Sequence, residues 1–467
     1  MPMLTETKDE VEVKSFTMQE NSTNSPFNKS EGYRAILKNK DFLSLWLGQV
    51  FSQLADRIIF VVFVAVIASS FGVSTTLQSY LYIAFTIPAI LLTAIAGVFI
   101  DRWDKKYTLI ATNILRAILI ALLPVFSNTL FGIYVLAFLV SSVTQFFVPA
   151  EASTIPALVK KYQLLAANSL FTTTMMGSLI FGFILGDPLI NIFGLNSVHW
   201  GISGLFIISA IFLSLMKHKR IEVESVSRKT FKDFLNELKQ GFIYIKNNPI
   251  VLQAMLKLAT LFSIIVMLSI LTISISQEKL YPDNPALGAQ KFAYIIAFSG
   301  VGMVIGSFIV GKFLRNIGKY LLIFAGFTLI GINLILLSAV GLIPNQFHII
   351  IPGYDFAQVH LAPFLLTYRM IFTYVVAAFI GLGASFIAIP VQTILHSSVA
   401  EDMRGKVFGV QFTMLSTSST LPVLFAAFGA DMIGVTNMLV IIGVPLIFLG
   451  LYGLTRKKIV NYLKTAT

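Results

Sequence analysis

The sequence predicts an all-α membrane protein with twelve transmembrane helices in two pseudo-symmetric halves of six. Three observations support this fold: the composition, the number of long apolar runs and the distribution of basic residues. Of the 467 residues, 56% are hydrophobic and 12% are charged, against roughly 25% charged in ordinary soluble domains. A soluble fold cannot bury this much apolar surface, so we expect a chain that crosses the lipid bilayer many times.

Twelve apolar runs are each long enough to cross a hydrocarbon core about 30 Å thick, which takes about 20 helical residues. The predicted spans are 42–70, 77–100, 107–127, 130–150, 165–190, 198–216, 250–275, 292–314, 319–341, 369–396, 405–430 and 434–455. The polar segments around them divide the chain into a disordered cytoplasmic tail (1–40), a first half (41–216), a cytoplasmic linker (217–249), a second half (250–458) and a short cytoplasmic tail (459–467). The linker repeats apolar residues at helical spacing, which predicts an amphipathic helix on the inner leaflet or against the bundle.

The basic residues lie mainly on one side of this layout. If both termini are cytoplasmic, the tails, the linker and the loops on that side carry most of the 34 Lys and Arg residues. Such an asymmetry is typical of membrane proteins and sets their orientation. We therefore expect cytoplasmic termini and a bacterial-type inner (plasma) membrane. The net charge of +12 follows from this topology and does not indicate a nucleic-acid partner.

Two sequence segments recur at equivalent places in the two halves. GVFIDRWDKK at 97–106 and GKFLRNIGKY at 311–320 both connect the second span of a half to the third. The segments that begin at Pro149 and at Pro390 both follow the fourth span of a half and lead into the fifth. Internal repeats of this kind predict a transporter built from two six-helix units.

The loop at 97–106 resembles the signature loop of major facilitator superfamily transporters, G-x-x-x-D-R-x-G-R-K. Gly97, Asp101, Arg102 and the two following lysines match it, while Asp104 stands where the family usually has Gly. The run from Phe147 to Ser169 is similar to the enterobactin-exporter and macrolide-efflux branch. This resemblance covers about residues 40–455. It implies a monomeric transporter without cofactors, in which two halves rock around a central cavity.

The fifth span carries part of the Gly-Pro motif of antiporters. Gly177, Gly182, Gly186 and Pro188 are present, but Asp187 separates Gly186 from the proline.

Polar residues inside the spans are the candidates for the cavity. In the first span Gln49, Gln53 and Asp56 fall at i, i+4 and i+7 on one helix face, beside Arg57. Charged groups inside the membrane are costly and usually functional. In the functional interpretation, Asp56 takes up a proton or Arg57 holds an anionic group. In the alternative, these two residues pair with each other or with the backbone and only fix helix packing. Further cavity candidates are Gln145, Gln411 and Lys257, of which Lys257 either lines the cavity or extends to the inner surface.

A second set of residues is expected to form the gate at the cytoplasmic ends of the halves. Its members are Gly97, Asp101, Arg102, Arg116 and Glu151. The resemblance implies that Asp101 locks the inner ends together, partly by facing a helix amino terminus, where the dipole favours negative charge. Arg116 is expected to pair near this gate, with Glu151 or Asp101.

The preferred function is proton-coupled export of an amphipathic small molecule, with Asp56 as the coupling carboxylate. Two alternatives stay open: a symporter that imports a sugar or an organic anion, and a protein that moves lysophospholipids or senses the membrane.

The five histidines show no metal-ligand spacing, so no metal site is expected. The run from Gly306 to Lys312 begins like an ATP-binding loop, but Phe313 replaces the required Ser or Thr. Neither an ATP-driven pump nor an enzyme is expected.

Overall fold

The computed structural model describes residues 36–100, 103–160, 163–217, 231–314, 316–344, 348–351, 355–356, 359–360, 364–400 and 403–455. Within these ranges the first half contains α1 (Lys40–Phe71), α2 (Thr75–Ile100), α3 (Lys105–Ala121), α4 (Leu130–Leu158), α5 (Leu164–Phe193) and α6 (Val198–Leu215). The second half contains α7 (Pro249–Ile275), α8 (Pro285–Lys312), α9 (Lys319–Ser338), α10 (Tyr368–Ser398), α11 (Arg404–Ile433) and α12 (Val435–Thr455). Most of the predicted amino-terminal tail and all of the predicted carboxyl-terminal tail lie outside the described residues.

Eleven of the helices described are long and apolar enough to cross a membrane. Of the twelve helices numbered above, the one outside this set is α3. It has 17 residues and is therefore about 25 Å long. The predicted span 107–127 is divided into α3 and a short helix, Leu123–Phe126, which has Pro124 in its first turn. A proline at this place favours the start of a new helix over the continuation of the old one.

Helix α4 extends beyond its predicted span, which ended at residue 150. The polar residues that follow this position interrupt the apolar run but not the helix. The hydroxyl of Thr154, for example, donates to the carbonyl oxygen of Ala150 at 2.7 Å. A polar side chain that bonds to its own helix needs no water partner, so the helix continues to Leu158.

The helix pairs of the two halves correspond to each other. In the first half α1 packs on α5, α2 on α4, and α3 on both α4 and α6. In the second half α7 packs on α11, α8 on α10, and α9 on both α10 and α12. The halves meet through α2 with α11 and through α5 with α8. These two contacts are themselves equivalent, so the pseudo-symmetry extends to the interface between the halves.

The two ends of the bundle differ in what they carry. We call the end where α1 begins and α12 finishes the linker end, and the opposite end the far end. A linker helix (Phe231–Asn247) lies at the linker end. It packs against the bundle: Gln240 accepts a hydrogen bond from Lys406 at 2.7 Å, and the Tyr244 hydroxyl accepts one from the backbone N–H of Ala400 at 3.2 Å.

The loop between α9 and α10 contains short strands that the prediction of an all-α fold did not include. β1 (His348–Ile351) pairs antiparallel with β4 (Phe364–Thr367), and β2 (Asp355–Phe356) pairs antiparallel with β3 (Val359–His360). The guanidinium of Arg369 donates to the carbonyl oxygens of Ile343, Lys279 and Gly341. It thereby ties the base of this loop to the far end of the bundle.

Candidate functional site

A buried ion pair joins the first and third helices. Arg116 of α3 has no exposed surface, and its Nη1 donates to both carboxylate oxygens of Asp56 on α1, each at 3.0 Å. Its Nη2 donates to Ser52 Oγ at 2.9 Å and to Asn113 Oδ1 at 3.0 Å. Hydrogen bonds to a charged donor and a charged acceptor are among the strongest in proteins. Asp56 and Arg116 therefore hold α1 and α3 together within the membrane.

Two aromatic rings lie close to the same guanidinium. Its central carbon lies 4.7 Å from the ring centre of Phe147 on α4 and 4.5 Å from that of Phe206 on α6. Cation–π contacts strengthen when the cation is desolvated. Arg116 thus links four helices of the first half, α1, α3, α4 and α6, at one point.

The pairing of Arg116 differs from the expectation that Glu151 or Asp101 would be its partner. Nor do Asp56 and Arg57 pair with each other as the packing alternative assumed. Consecutive residues on a helix point in different directions. Asp56 accordingly faces α3, whereas the side chain of Arg57 lies against Gly182 of α5, where an added Cβ would come within 2.7 Å of the Arg57 Cβ.

Glu151 of α4 lies in the same region, one helical turn after Phe147. Its side chain is buried, and the residue is 7% exposed. The carboxyl group is near enough to Arg116 and Asp56 for their charges to act on it. Its Oε1 atom has no hydrogen-bond partner among the residues that the structure describes. The cluster of Asp56, Arg116 and Glu151 therefore contains one cation and two carboxyl groups.

The remaining cavity candidates lie on α1, α4, α7 and α11. Gln49 and Gln411 are buried, and the Oε1 atom of each lacks a hydrogen-bond partner within the described ranges. Gln53 is partly buried. Gln145 donates to the carbonyl oxygen of Ser141 on its own helix. The Lys257 ammonium lies 4.9 Å from the ring centre of Tyr320, near the linker end of α9.

The predicted gate loop can be followed only in part. Gly97 belongs to the end of α2, while Asp101 and Arg102 lie outside the described residues.

A second ion pair, which the sequence analysis did not predict, joins the two halves near the far end. Asp187 of α5 accepts a hydrogen bond from Lys291 of α8 at 2.7 Å and one from the Tyr294 hydroxyl at 3.0 Å. The Asp187 side chain is 3% exposed. The available signal was the acidic residue inside the Gly-Pro motif, but no feature of the sequence indicates its partner.

A helix cap joins the halves at the same end. The carboxylate of Asp431, near the end of α11, accepts hydrogen bonds from the backbone N–H groups of Thr75 and Thr76, both at 2.9 Å. The hydroxyl of Ser74 donates to it at 2.8 Å. These donors belong to the start of α2, where the helix dipole favours a negative charge. The cap therefore binds α11 to α2.

Apolar packing fills the space between these polar contacts. The ring of Phe60 on α1 lies 6.2 Å from that of Phe292 on α8 and 6.4 Å from that of Phe183 on α5. The buried core of the first half continues into α7, α8 and α11. Together, the ion pair, the helix cap and this core close the far end.

The linker end contains open space instead. An open cavity of about 630 Å³ lies along the last turns of α10, and the described residues that line it, Ala388, Ile389, Gln392, Thr393, His396 and Ser397, all belong to this one helix.

Comparisons with known proteins identify the family. The model of the Major Facilitator Superfamily matches residues 45–354. The uncharacterized MFS-type transporter YfiS of Bacillus subtilis (strain 168) is 28% identical over 424 residues, which cover 90% of this chain and 94% of that protein. Macrolide efflux protein A of Streptococcus pyogenes is 22% identical over 415 residues, which cover 87% of this chain and 93% of that protein.

A solved structure shows the same fold. The nucleoside transporter NupG superposes with a TM-score of 0.66 at 12% identity, covering 88% of this chain and 98% of that chain. The predictions of the fold class and of the family are confirmed by these matches. With the family match extending over more than half of its length, the chain belongs to the major facilitator superfamily and is a multi-pass membrane transporter, not an enzyme.

Proposed function

We propose that this transporter exports an amphipathic small molecule from the cytoplasm in exchange for protons. The observation that carries the proposal is a pair of carboxyl groups within the first half, the partly buried Asp56 and the buried Glu151, in a bundle whose far end is closed. Ionisable groups within membrane helices mark proton and substrate pathways. Export is supported by the similarity to macrolide efflux protein A.

The orientation is part of the proposal. The basic residues of the linker and of the loops at the linker end favour the cytoplasmic side for that end. The cavity along α10 then faces the cytoplasm, and the far end, closed by Asp187 with Lys291 and by Asp431, faces outwards. A substrate that enters from the cytoplasm leaves after these far-end contacts open and the linker end closes. The transporter acts as a monomer in this scheme.

The decisive experiment measures transport in everted membrane vesicles from a bacterial strain that lacks its own pumps. A labelled macrolide is the first probe, followed by a panel of amphipathic compounds. We expect respiration, which acidifies the vesicle lumen, to drive accumulation of a probe inside, and a protonophore to abolish it. Vesicles without the transporter provide the control.

Each rival function predicts a different outcome. A symporter accumulates sugars or organic anions in right-side-out vesicles and leaves the lumen of everted vesicles empty. A lipid-moving protein transfers lysophospholipids between leaflets of a liposome without any gradient. Either result, in place of proton-driven accumulation in everted vesicles, would overturn the proposal.

A further inference from the structure

We infer that Glu151 is the group that carries the coupling proton, and that Asp56 is the fixed counter-ion of Arg116. This inference deepens the proposed function and rests on it. It also reassigns the role that the sequence analysis gave to Asp56. In the cluster of one cation and two carboxyl groups, the two carboxyl groups have different surroundings.

Asp56 already forms an ion pair with Arg116. Both of its carboxylate oxygens accept a hydrogen bond from Arg116, and Arg116 has no contact with solvent. Adding a proton to Asp56 would leave a fully buried guanidinium without its counter-ion. Removing one member of a buried pair in this way is strongly unfavourable. Asp56 is therefore assigned the role of a fixed counter-ion.

Glu151 forms no such ion pair with any described residue. Its Oε1 atom is buried and receives no hydrogen bond from any described residue. An ionised Oε1 would lack a hydrogen-bond donor among the described residues, and the Arg116 charge is already balanced by Asp56. Burial without compensation disfavours the charged form of a carboxyl group. The conformation with the closed far end therefore favours protonated Glu151, and a conformation that admits water to Glu151 favours its release of the proton.

The helices packed against α4 bring no further charge to this place. Helix α2 contains no Asp, Glu, Lys, Arg or His, and the single such residue of α5, Asp187, lies near the far end. The α1 and α3 helices contribute Asp56 and Arg116, while Arg57 lies on the α5 side of α1. The other charged residues of α1 and α3 are at the linker ends of these helices. The protonation of Glu151 thus changes the net charge of an otherwise neutral cluster by one.

Infrared difference spectroscopy tests this inference without any substrate. The full-length transporter is reconstituted into lipid nanodiscs, and spectra are compared between acidic and alkaline pH. We expect wild type to show the C=O stretch of a buried protonated carboxyl group that disappears as the pH rises. The band should be absent in Glu151→Gln and shifted in Glu151→Asp, which keeps a carboxyl group. The matched control Asp283→Asn removes an exposed carboxyl group and should leave the band unchanged.

The Asp56→Asn variant supplies a second measurement. Its result should equal that of wild type if Glu151 has only a structural role. Without Asp56, Glu151 becomes the nearest counter-ion of Arg116, so its carboxyl band should disappear at a lower pH than in wild type. A wild-type band that persists in Glu151→Gln, or the lack of any titrating buried carboxyl band in wild type, would overturn the inference. Because this measurement involves no transported compound, its result is independent of the vesicle experiment, and failure of one can be told from failure of the other.

Transport then connects the proton site to coupling. With a labelled macrolide that wild type accumulates, Glu151→Gln should lose accumulation against a gradient and keep equilibrium exchange of labelled for unlabelled compound. A Glu151→Gln variant that still accumulates the compound in a proton-dependent manner would also overturn the inference.

Discussion

The carboxylate of Asp431 on α11 accepts a hydrogen bond from the backbone N–H of Thr76, 2.9 Å away in the first turn of α2. A residue of the second half thereby caps a helix of the first half. The family resemblance implies a device of this type for Asp101 at the linker end. At the far end, within the described part of the chain, Asp431 provides such a cap. This cap connects the two halves while the far end is closed.

Loss of this cap should make the far end open more often. An Asp431→Asn substitution removes the charge that the α2 dipole stabilises, at a cost of about 1 kcal/mol, which corresponds to roughly a fivefold change in the ratio of closed to open molecules. The chain contains no cysteine, so a Ser274→Cys background introduces one thiol at a buried far-end position and removes the Ser274 hydroxyl that contacts Thr75 Oγ1 equally from every variant compared. Its labelling by an impermeant maleimide on intact cells should accelerate in Asp431→Asn.

An exposed acidic residue of the same end provides the control for this measurement. Asp283 lies in the loop before α8 and is exposed, so Asp283→Asn should label at the wild-type rate. Equal rates in the Asp431 and Asp283 variants would show that the cap does not hold the far end closed.

The ion pair of Asp187 and Lys291 should contribute more than the helix cap. Both side chains are largely buried, and removal of one member of a buried pair costs about 3 kcal/mol or more. Asp187→Asn and Lys291→Gln should therefore each expose the Ser274→Cys thiol strongly. The exchanged pair, Asp187→Lys with Lys291→Asp, should restore part of the protection, since the opposite charges again face each other. If the exchanged pair labels as fast as the single variants, the attraction between these charges does not keep the halves together.

Much of the fold could be predicted because its causes are local. An apolar run of sufficient length crosses the bilayer as a helix whatever it packs against, so the spans could be recognised from the sequence. Polar residues at the ends of runs were less informative. The predicted fourth span ended at residue 150, before the polar stretch that contains Thr154, but α4 continues to Leu158, and the Thr154 hydroxyl bonds to the Ala150 carbonyl within this helix.

The candidate site could be predicted as a set of residues but not as a set of partners. Intramembrane charge drew attention to Asp56, Arg116 and Glu151, because ionisable groups are rare in hydrocarbon. Which of them pair depends on how α1, α3 and α4 are rotated and packed, and periodicity within one helix carries no such information. The same reason explains why the partner of Asp187, which is 104 residues away in the chain, was not found.

The pairing of Asp56 with Arg116 predicts a characteristic pattern of stability. Arg116→Leu leaves Asp56 without its counter-ion and should lower the free energy of unfolding by about 3 kcal/mol or more. The double variant Asp56→Asn with Arg116→Leu contains neither charge and should be more stable than Arg116→Leu alone. Thermal unfolding of the purified variants in one detergent measures this double-mutant cycle. Additive effects of the two substitutions would contradict a direct energetic link between these side chains.

Close helix packing in the second half predicts a strong effect of a single methyl group. Gly302 of α8 and Gly381 of α10 face each other's helices so closely that a Cβ on Gly302 would overlap the carbonyl of Ala378. Small residues allow membrane helices to approach in this manner. Gly302→Ala must push α8 away from α10, and overpacking of this kind costs about 1–3 kcal/mol or more. We expect a lower unfolding temperature and less monodisperse protein on size-exclusion chromatography.

Gly204→Ala on α6 is the matched control, because no atom outside its own helix lies within 4 Å of the added Cβ. Similar behaviour of the two variants would mean that α8 and α10 do not depend on this close approach.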